Sequence, residues 1–380
     1  MDQEVAALLV AGARVKGKTD DRAVRELCEK VHDWDEVLRV GEEHSMLPTL
    51  FVRLAKSGAE VPPEAMERLE AAYRRNAFHC MTNGAELITL LHAFRSAGIE
   101  QAVPFKGVVL GATAYGDWTS RHAGDVDILI NLRDRERAEA VMLYNGYELR
   151  NPLGPDGNPA ACRFYESHFE RERDGMVVEL RWHLDLAQPR FTRHLGMDWL
   201  WPHRQKITLA GEEIEGLDVN VTLLLLCMHG SKHLWTRLLW ICDVARLLES
   251  NPNLDWGMVK YEARKAGLGH VLAWGVLLAH RVAGAEVNPK VLRRFQAESA
   301  TRRMTRHVEE HLFDAPGTVP EGMTPYTIAM LDWKDRARLL SMDMLRPNQR
   351  DRAVVNLPKP LYGLYYLIRP IRLLLDRSAR

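Results

Sequence analysis

Across residues 1–98 apolar positions recur every three to four residues, the spacing that gives a helix one buried stripe. DDRAVRELCEKV (20–31), HSMLPTLFVRLAKSG (44–58) and a long amphipathic run over 63–97, closed by Gly98, each read as a helix. The texture then changes. IEQAVPF (99–105) and DVDILIN (125–131) are apolar runs of strand length. The small-residue helix GVVLGATAYG (107–116) separates them, and RDRERAEAVMLYNGY (133–147), a helix with a charged first turn, follows. Alternation of strand and helix over some fifty residues predicts an α/β or α+β sheet unit.

After the Gly/Pro/Asn loop NPLGPDGNPA (151–160), HFERER (168–173) and MVVELRWHLDL (176–186) form a predicted hairpin. Their junction Asp174-Gly175 is a dipeptide that suits a type I′ turn, which predicts antiparallel neighbours for the DVDILIN strand. ITLAGEEIEGLD (207–218) reads as a second hairpin. Asn220 is then the predicted cap of one long apolar helix over 221–250, and helices continue to about Asp343. The segments are a helical region over 1–98, a sheet-bearing core over 99–218, a helical domain over 219–343 and a basic amphipathic tail over 344–380.

Lys plus Arg and Asp plus Glu number 51 each in 380 residues, so no global field draws the chain to nucleic acid or an anionic membrane. Any polyanion site must be local. Five cysteines without a C-x-x-C argue against a disulfide framework or zinc knuckle and fit a reducing cytoplasm. The start MDQEVAALLV lacks the pattern of a signal peptide, and no apolar run is long enough to span a bilayer. The segment 346–380 carries eight basic residues against two acidic ones and includes LYGLYYLIRPIRLLL. It reads either as a helix docked on the body or as a peripheral membrane contact.

The conspicuous chemistry is Asp125-Val126-Asp127. Strand side chains alternate, so both carboxylates leave the same face while Val126 and Ile128 pack on the other. Glu179, mid-strand in MVVELRW beside Val178 and Leu180, is the candidate third acid, sharing its face with Val177 and Arg181. Two acids on one strand and a third on its neighbour suit divalent cations in phosphoryl or nucleotidyl transfer. The Phe105-Lys106-Gly107 corner offers backbone N–H groups and an ammonium to the β- and γ-phosphates.

FKGVVLGATAYGD, GDVDILI, VVELRWHL and LLLLCMHGSKHLWTRLLWICDVARLL occur in that order, and the chain resembles the uncharacterised nucleotidyltransferase family of the polymerase-β superfamily over about 64–248. Its members are bacterial proteins, often found with peptide natural-product and polysaccharide gene clusters. The resemblance implies an α+β fold, a small mixed β-sheet nucleotidyltransferase core flanked by helical regions. It implies Asp125, Asp127 and Glu179 as catalytic residues and ligands to Mg²⁺ or Mn²⁺. Lys106-Gly107 stands where the wider superfamily carries Gly-Ser or Gly-Gly, and Lys106 is assigned the missing serine's work. Arg121 reads either as a phosphate-neutralising residue or as an exposed loop arginine.

His229 and His233 lie four apart on one helix face, but Gly230 occupies the position where a metalloprotease carries its glutamate, which argues against zinc. His229, Lys232 and His233 are instead candidates to line the nucleotide cleft. Trp240 reads as core, Asp243 as a buried acid paired with Arg237 or Arg246, and His183 as a strand residue near the metals. The implied activity is transfer of a nucleoside monophosphate from a triphosphate, ATP among the candidates, to an acceptor hydroxyl or phosphate with release of pyrophosphate. The acceptor is open among peptide, sugar, small molecule and protein, with no specific nucleic acid. A nucleotide-binding module with weak turnover, an accessory protein of natural-product biosynthesis and a membrane-surface scaffold are the alternatives.

Overall fold

The computed structural model describes residues 2–14, 21–150, 166–183, 196–314 and 364–368. Two compact units divide the chain, Met1–Met323 and Thr324–Arg380, and the predicted divisions at 98 and 218 fall within the first. The 151–160 loop, the helices expected over 315–343 and nearly all of the basic tail lie outside the described residues. No described helix is long and apolar enough to cross a membrane.

Among the described residues five helices come first: α1 (Gln3–Ala13), α2 (Asp21–Cys28), α3 (Trp34–Glu43), α4 (Leu47–Ser57) and α5 (Pro63–Ser96). Gly58 ends α4 in the left-handed conformation, as its place after the last periodic residue predicts. The sheet unit follows as β1 (Ala102–Pro104), α6 (Gly107–Leu110) running into a π turn at Gly111–Tyr115, β2 (Val126–Ile130), α7 (Arg135–Tyr144), β3 (Glu148–Leu149), β4 (Glu166–Arg171) and β5 (Met176–Arg181). Among the described residues these strands form one mixed sheet in the order β1-β2-β5-β4-β3. The predicted antiparallel environment of β2 holds only on one side, because β1 pairs with it antiparallel and β5 pairs with it parallel.

Alternation decides what each face does. Val126, Ile128, Ile130, Val178, Leu180 and Phe169 point to one side, into a core closed by Leu87, Leu90 and Phe94 of α5 and by Ala138 and Met142 of α7. The opposite face carries the polar residues. The β4–β5 hairpin turns through a four-residue loop between the paired Arg171 and Met176, not the expected two-residue type I′ turn. Gly175 takes φ +68° at its end, and Asp174 is drawn back by Arg171, whose guanidinium also forks onto Glu86 of α5. This anchoring fixes β4 and β5 against the long helix.

After a short helix α8 (Met197–Leu200), β6 (Arg204–Leu209) and β7 (Glu212–Leu217) make the second hairpin, with Ala210 and Gly211 both at positive φ as a type I′ turn requires. Asp218 caps the next helix in place of Asn220, its carboxylate accepting from the backbone of Val221. The single helix expected over 221–250 is two: α9 (Val219–Lys232) and α10 (Leu238–Ser250). Leu234 and Trp235 adopt left-handed φ, and Trp235 turns back so that its indole is fully buried on Gly230 and on Gly275 of α11 (Gly269–Arg281). A Cβ at Gly230 would stand 2.3 Å from the indole. Burial of roughly 150–250 Å² of indole opposes the cost of two left-handed residues at ~1–2 kcal/mol each and of an indole N–H without a hydrogen-bond partner among the described residues. Packing therefore overrides the local helical pattern.

Candidate functional site

The parallel pairing of β2 and β5 aligns Asp127 with Glu179, and the antiparallel pairing of β5 and β4 adds His168 to the same row. Asp125, one residue before β2, leaves the sheet on that face. Oxygens of Asp125, Asp127 and Glu179 all lie within 4.8 Å of one another, the one such metal-capable group among the described residues. The donors are carboxylate oxygens, hard ligands that fit Mg²⁺ or Mn²⁺ and do not resemble a zinc set. Asp127 is buried and Asp125 and Glu179 are partly open, so the cluster is accessible from one side.

Two cations of the chain already address these acids. Lys106 Nζ lies 3.1 Å from Asp127 Oδ2, and Arg181 Nε lies 3.3 Å from Asp127 Oδ1. Arg181 also donates to Glu179 and pairs with Glu166 at 2.5 Å. Burial opposes the guanidinium's charge, but Asp127, Glu179 and Glu166 outweigh it and hold the proton firmly. Asp125 has no such salt bridge, and burial together with the Asp127 charge raises its pKa above the usual aspartate value against the pull of Lys106, Arg121 and Arg181. The two aspartates that the sequence presents as equivalent are therefore unequal.

Lys106 sits at φ 59° and ψ −149°, a region almost exclusive to glycine, and Gly107 follows at φ 47°. The side chain is nearly buried and turned to Asp127, not extended over an open sheet edge. The corner is fixed from behind. Arg121 is buried, not an exposed loop residue, and forks onto Asp243 of α10 with Nε–Oδ1 2.7 Å and Nη2–Oδ2 2.8 Å. Its Nη1 donates to the carbonyls of Gly107 and His122, and Tyr115 donates to the same Asp243 at 2.8 Å. With its donors so committed, Arg121 supports the corner from within. Arg237 and Arg246, the expected partners of Asp243, lie instead over the rings of Trp240 and Tyr115.

The loop leading into Asp125 is held by α5. Asn76 donates to the carbonyls of Thr119 and Arg121, and Asn83 to that of Ala123. Both lie with Cys80 on one buried helix face, and polar residues on an otherwise apolar stripe were the available signal for this role.

On α9, His229 and His233 meet with ring centres 4.8 Å apart, and both contact Trp240 of α10, at 5.4 and 4.9 Å. Burial drives the His229 pKa well below the ordinary histidine value and that of His233 to about 4, with Lys106 and Arg181 adding to the effect in both. The two imidazoles are thus neutral and within the field of the carboxylate site. Trp240 is half-buried, not core, and Lys232 is exposed at the end of α9. His183 bridges to Gly196 beyond β5.

A family model for uncharacterised nucleotidyltransferases matches residues 30–284, about two thirds of the chain. The chain belongs to that family. The match runs from the N-terminal helices through the sheet and into the helical region carrying His229, His233 and Asp243. A comparison with curated proteins finds no match. This chain combines a three-carboxylate cluster with a lysine at the strand-to-helix corner and an arginine two residues beyond the third acid.

Proposed function

We propose that the protein transfers a nucleoside monophosphate from a nucleoside triphosphate to an acceptor hydroxyl or phosphate, releasing pyrophosphate. The observation that carries this reading is the convergence of Asp125, Asp127 and Glu179 within 4.8 Å on a sheet face, in a member of a nucleotidyltransferase family. Asp125, Asp127 and Glu179 would hold Mg²⁺ or Mn²⁺. Such cations, when bound, neutralise a triphosphate and activate an incoming hydroxyl. Asp125, whose carboxylate is not tied to Lys106 or Arg181 as Asp127 is, is the residue proposed to take the acceptor's proton.

Lys106 and the backbone N–H groups of the Gly107 corner face the triphosphate tail in this proposal. His229, His233 and Trp240 supply a neutral aromatic surface for the base, with Lys232 at its rim. The acceptor stays open among peptide, sugar, small molecule and protein. A cytoplasmic setting suits the supply of triphosphate and the buried free thiols Cys28, Cys80, Cys227 and Cys242 found among the described residues. In this reading the chain is segmented at 98, 218 and 343, with the carboxylates on the core segment and the base surface on the helical segment that follows it.

One observation favours a second reading, a nucleotide-binding module without turnover: Lys106 and Arg181 already satisfy Asp127. Incubation of the purified protein with each labelled triphosphate and Mg²⁺ or Mn²⁺ separates the two. Pyrophosphate release that disappears in Glu179→Gln supports transfer, and saturable binding with no pyrophosphate supports the module.

A further inference from the structure

Arg181 is placed where a metal would compete with it. One guanidinium contacts three carboxylates, Asp127 and Glu179 within the candidate metal cluster and Glu166 outside it. Register explains the arrangement: Arg181 is the cross-strand partner of Leu129 on one side and Glu166 on the other, two positions along from Asp127, Glu179 and His168 and so on the same face. Its Nε and Nη2 therefore reach back to the metal-capable row while Nη1 stays with Glu166 in its own row. A divalent ion entering the cluster would meet Asp127 oxygens engaged by both Arg181 and Lys106, and a Glu179 oxygen engaged by Arg181.

The geometry points to Arg181 as an exchangeable counter-ion, which neutralises Asp127 and Glu179 in the empty site and passes to the triphosphate oxygens when metal and nucleotide enter, held throughout by Glu166. The inference rests on the proposed use of a triphosphate and names the residue that senses it. Three features support it. The planar fork matches phosphate as well as carboxylate, so the guanidinium loses little by changing anion. Glu166 is not part of the metal-capable group, so one ion pair survives the exchange. Arg181 is the cation that the sheet itself, through strand register, sets beside the cluster, whereas Lys106 is delivered by the corner.

The consequence is a pair of opposite effects that a merely structural arginine does not produce. Arg181→Met removes the competitor, so Mn²⁺ alone binds about tenfold tighter or better. The same variant at saturating Mn²⁺ binds a non-hydrolysable triphosphate roughly ten- to hundredfold more weakly, with monophosphate affinity unchanged. Arg181→Lys lies between in both measurements. Glu166→Gln acts with the other sign on the metal, because Arg181 then leans wholly on Asp127 and Glu179, and Mn²⁺ alone binds several-fold more weakly.

Titration calorimetry of Mn²⁺, then of nucleotides at fixed Mn²⁺, into the full chain and these variants tests it, with melting temperature followed with and without Mn²⁺. Tighter metal binding, weaker triphosphate binding and a larger Mn²⁺-induced rise in melting temperature for Arg181→Met are the expected results. Unchanged or weakened Mn²⁺ binding in Arg181→Met overturns the inference while leaving wild-type nucleotide binding, and so the proposed function, standing. If Arg181→Met does not fold, the sign of the Glu166→Gln effect decides: unchanged or tighter Mn²⁺ binding overturns it. A wild-type chain that binds neither Mn²⁺ nor triphosphate overturns both the inference and the reading beneath it.

Discussion

Asp127 on β2 and Glu179 on β5 are direct cross-strand partners in a parallel pair, with Ile128 and Leu180, the next residues, turned into the core behind them. The separation of the two carboxylates is thus set by backbone pairing and not by a loop. Asp125 joins them from the residue that precedes β2, a position fixed by Asn76 and Asn83 through the 119–123 backbone. A site of this kind is organised before any ligand arrives.

The two aspartates respond oppositely to neutralisation. Burial and Asp127 raise the Asp125 pKa, so its charge is a burden on the folded state above the ordinary aspartate range and is relieved as pH falls toward that range. Asp125→Asn therefore raises the metal-free melting temperature at pH 7, and the gain shrinks toward pH 4. Asp127→Asn strips Lys106 of its carboxylate partner, while Arg181 keeps Glu179 and Glu166, so the variant has a lower melting temperature than the wild type. Thermal melts of the single variants across pH check the signs.

Lys106 combines a strained backbone with a charged head, and two substitutions separate them. Lys106→Gly and Lys106→Met both lose the ion pair with Asp127, but only glycine suits φ 59° and ψ −149°. Relief of a ~1–3 kcal/mol strain exceeds the ~0.5–1 kcal/mol entropy cost of glycine, so Lys106→Gly is the more stable by on the order of 1 kcal/mol. Denaturant unfolding of the two measures it. If the ammonium also reaches the triphosphate tail, Lys106→Met loses roughly ten- to hundredfold in triphosphate affinity and little for monophosphate.

Much of this was legible in the chain because it depends on local pattern. The alternation in DVDILI and MVVELRW put Asp125, Asp127 and Glu179 on the correct faces before any tertiary contact was known. Gly58 and Gly98 ended their helices where sequence placed the ends, and 207–218 holds the expected second hairpin. What escaped was nonlocal. Arg121 and Asp243 meet across 122 positions, and helical spacing alone offered Arg237 and Arg246 instead. The break between α9 and α10 has no proline and follows from the indole of Trp235 finding Gly275 on another helix. The parallel sense of β2 and β5 likewise depends on the whole sheet order.

The Arg121–Asp243 pair ties the corner to α10, so its loss reaches the site as well as the fold. Asp243→Asn leaves a buried guanidinium without its charge partner and costs about 3–5 kcal/mol. Tyr115→Phe, which removes one hydrogen bond to the same carboxylate, costs about 1 kcal/mol. Equilibrium unfolding in urea gives both values, and the ordering Asp243→Asn well above Tyr115→Phe is the expected outcome.

His44 supplies a pH dependence outside the site. Its Nδ1 accepts from the backbone N–H of Leu238 at the start of α10, and burial lowers its pKa to about 4. An unfolded histidine takes a proton near pH 6.5, so this contribution is full above that value and is lost as pH falls toward 4. Urea midpoints measured at pH 7 and pH 5 should show the decline. His44→Asn should lower stability at pH 7 and flatten the dependence, while an unchanged slope would assign it to His122, His229 and His233, whose pKa values burial also lowers.

The central claim is that Asp125, Asp127 and Glu179 form one metal-dependent triphosphate site. Calorimetric titration of Mn²⁺ with a non-hydrolysable triphosphate into the wild-type chain and into the Asp125→Asn/Asp127→Asn double variant tests it most directly, with circular dichroism confirming that the variant is folded. The account predicts saturable Mn²⁺-dependent binding in the wild type and none in the variant. Undiminished affinity in a folded double variant would contradict it.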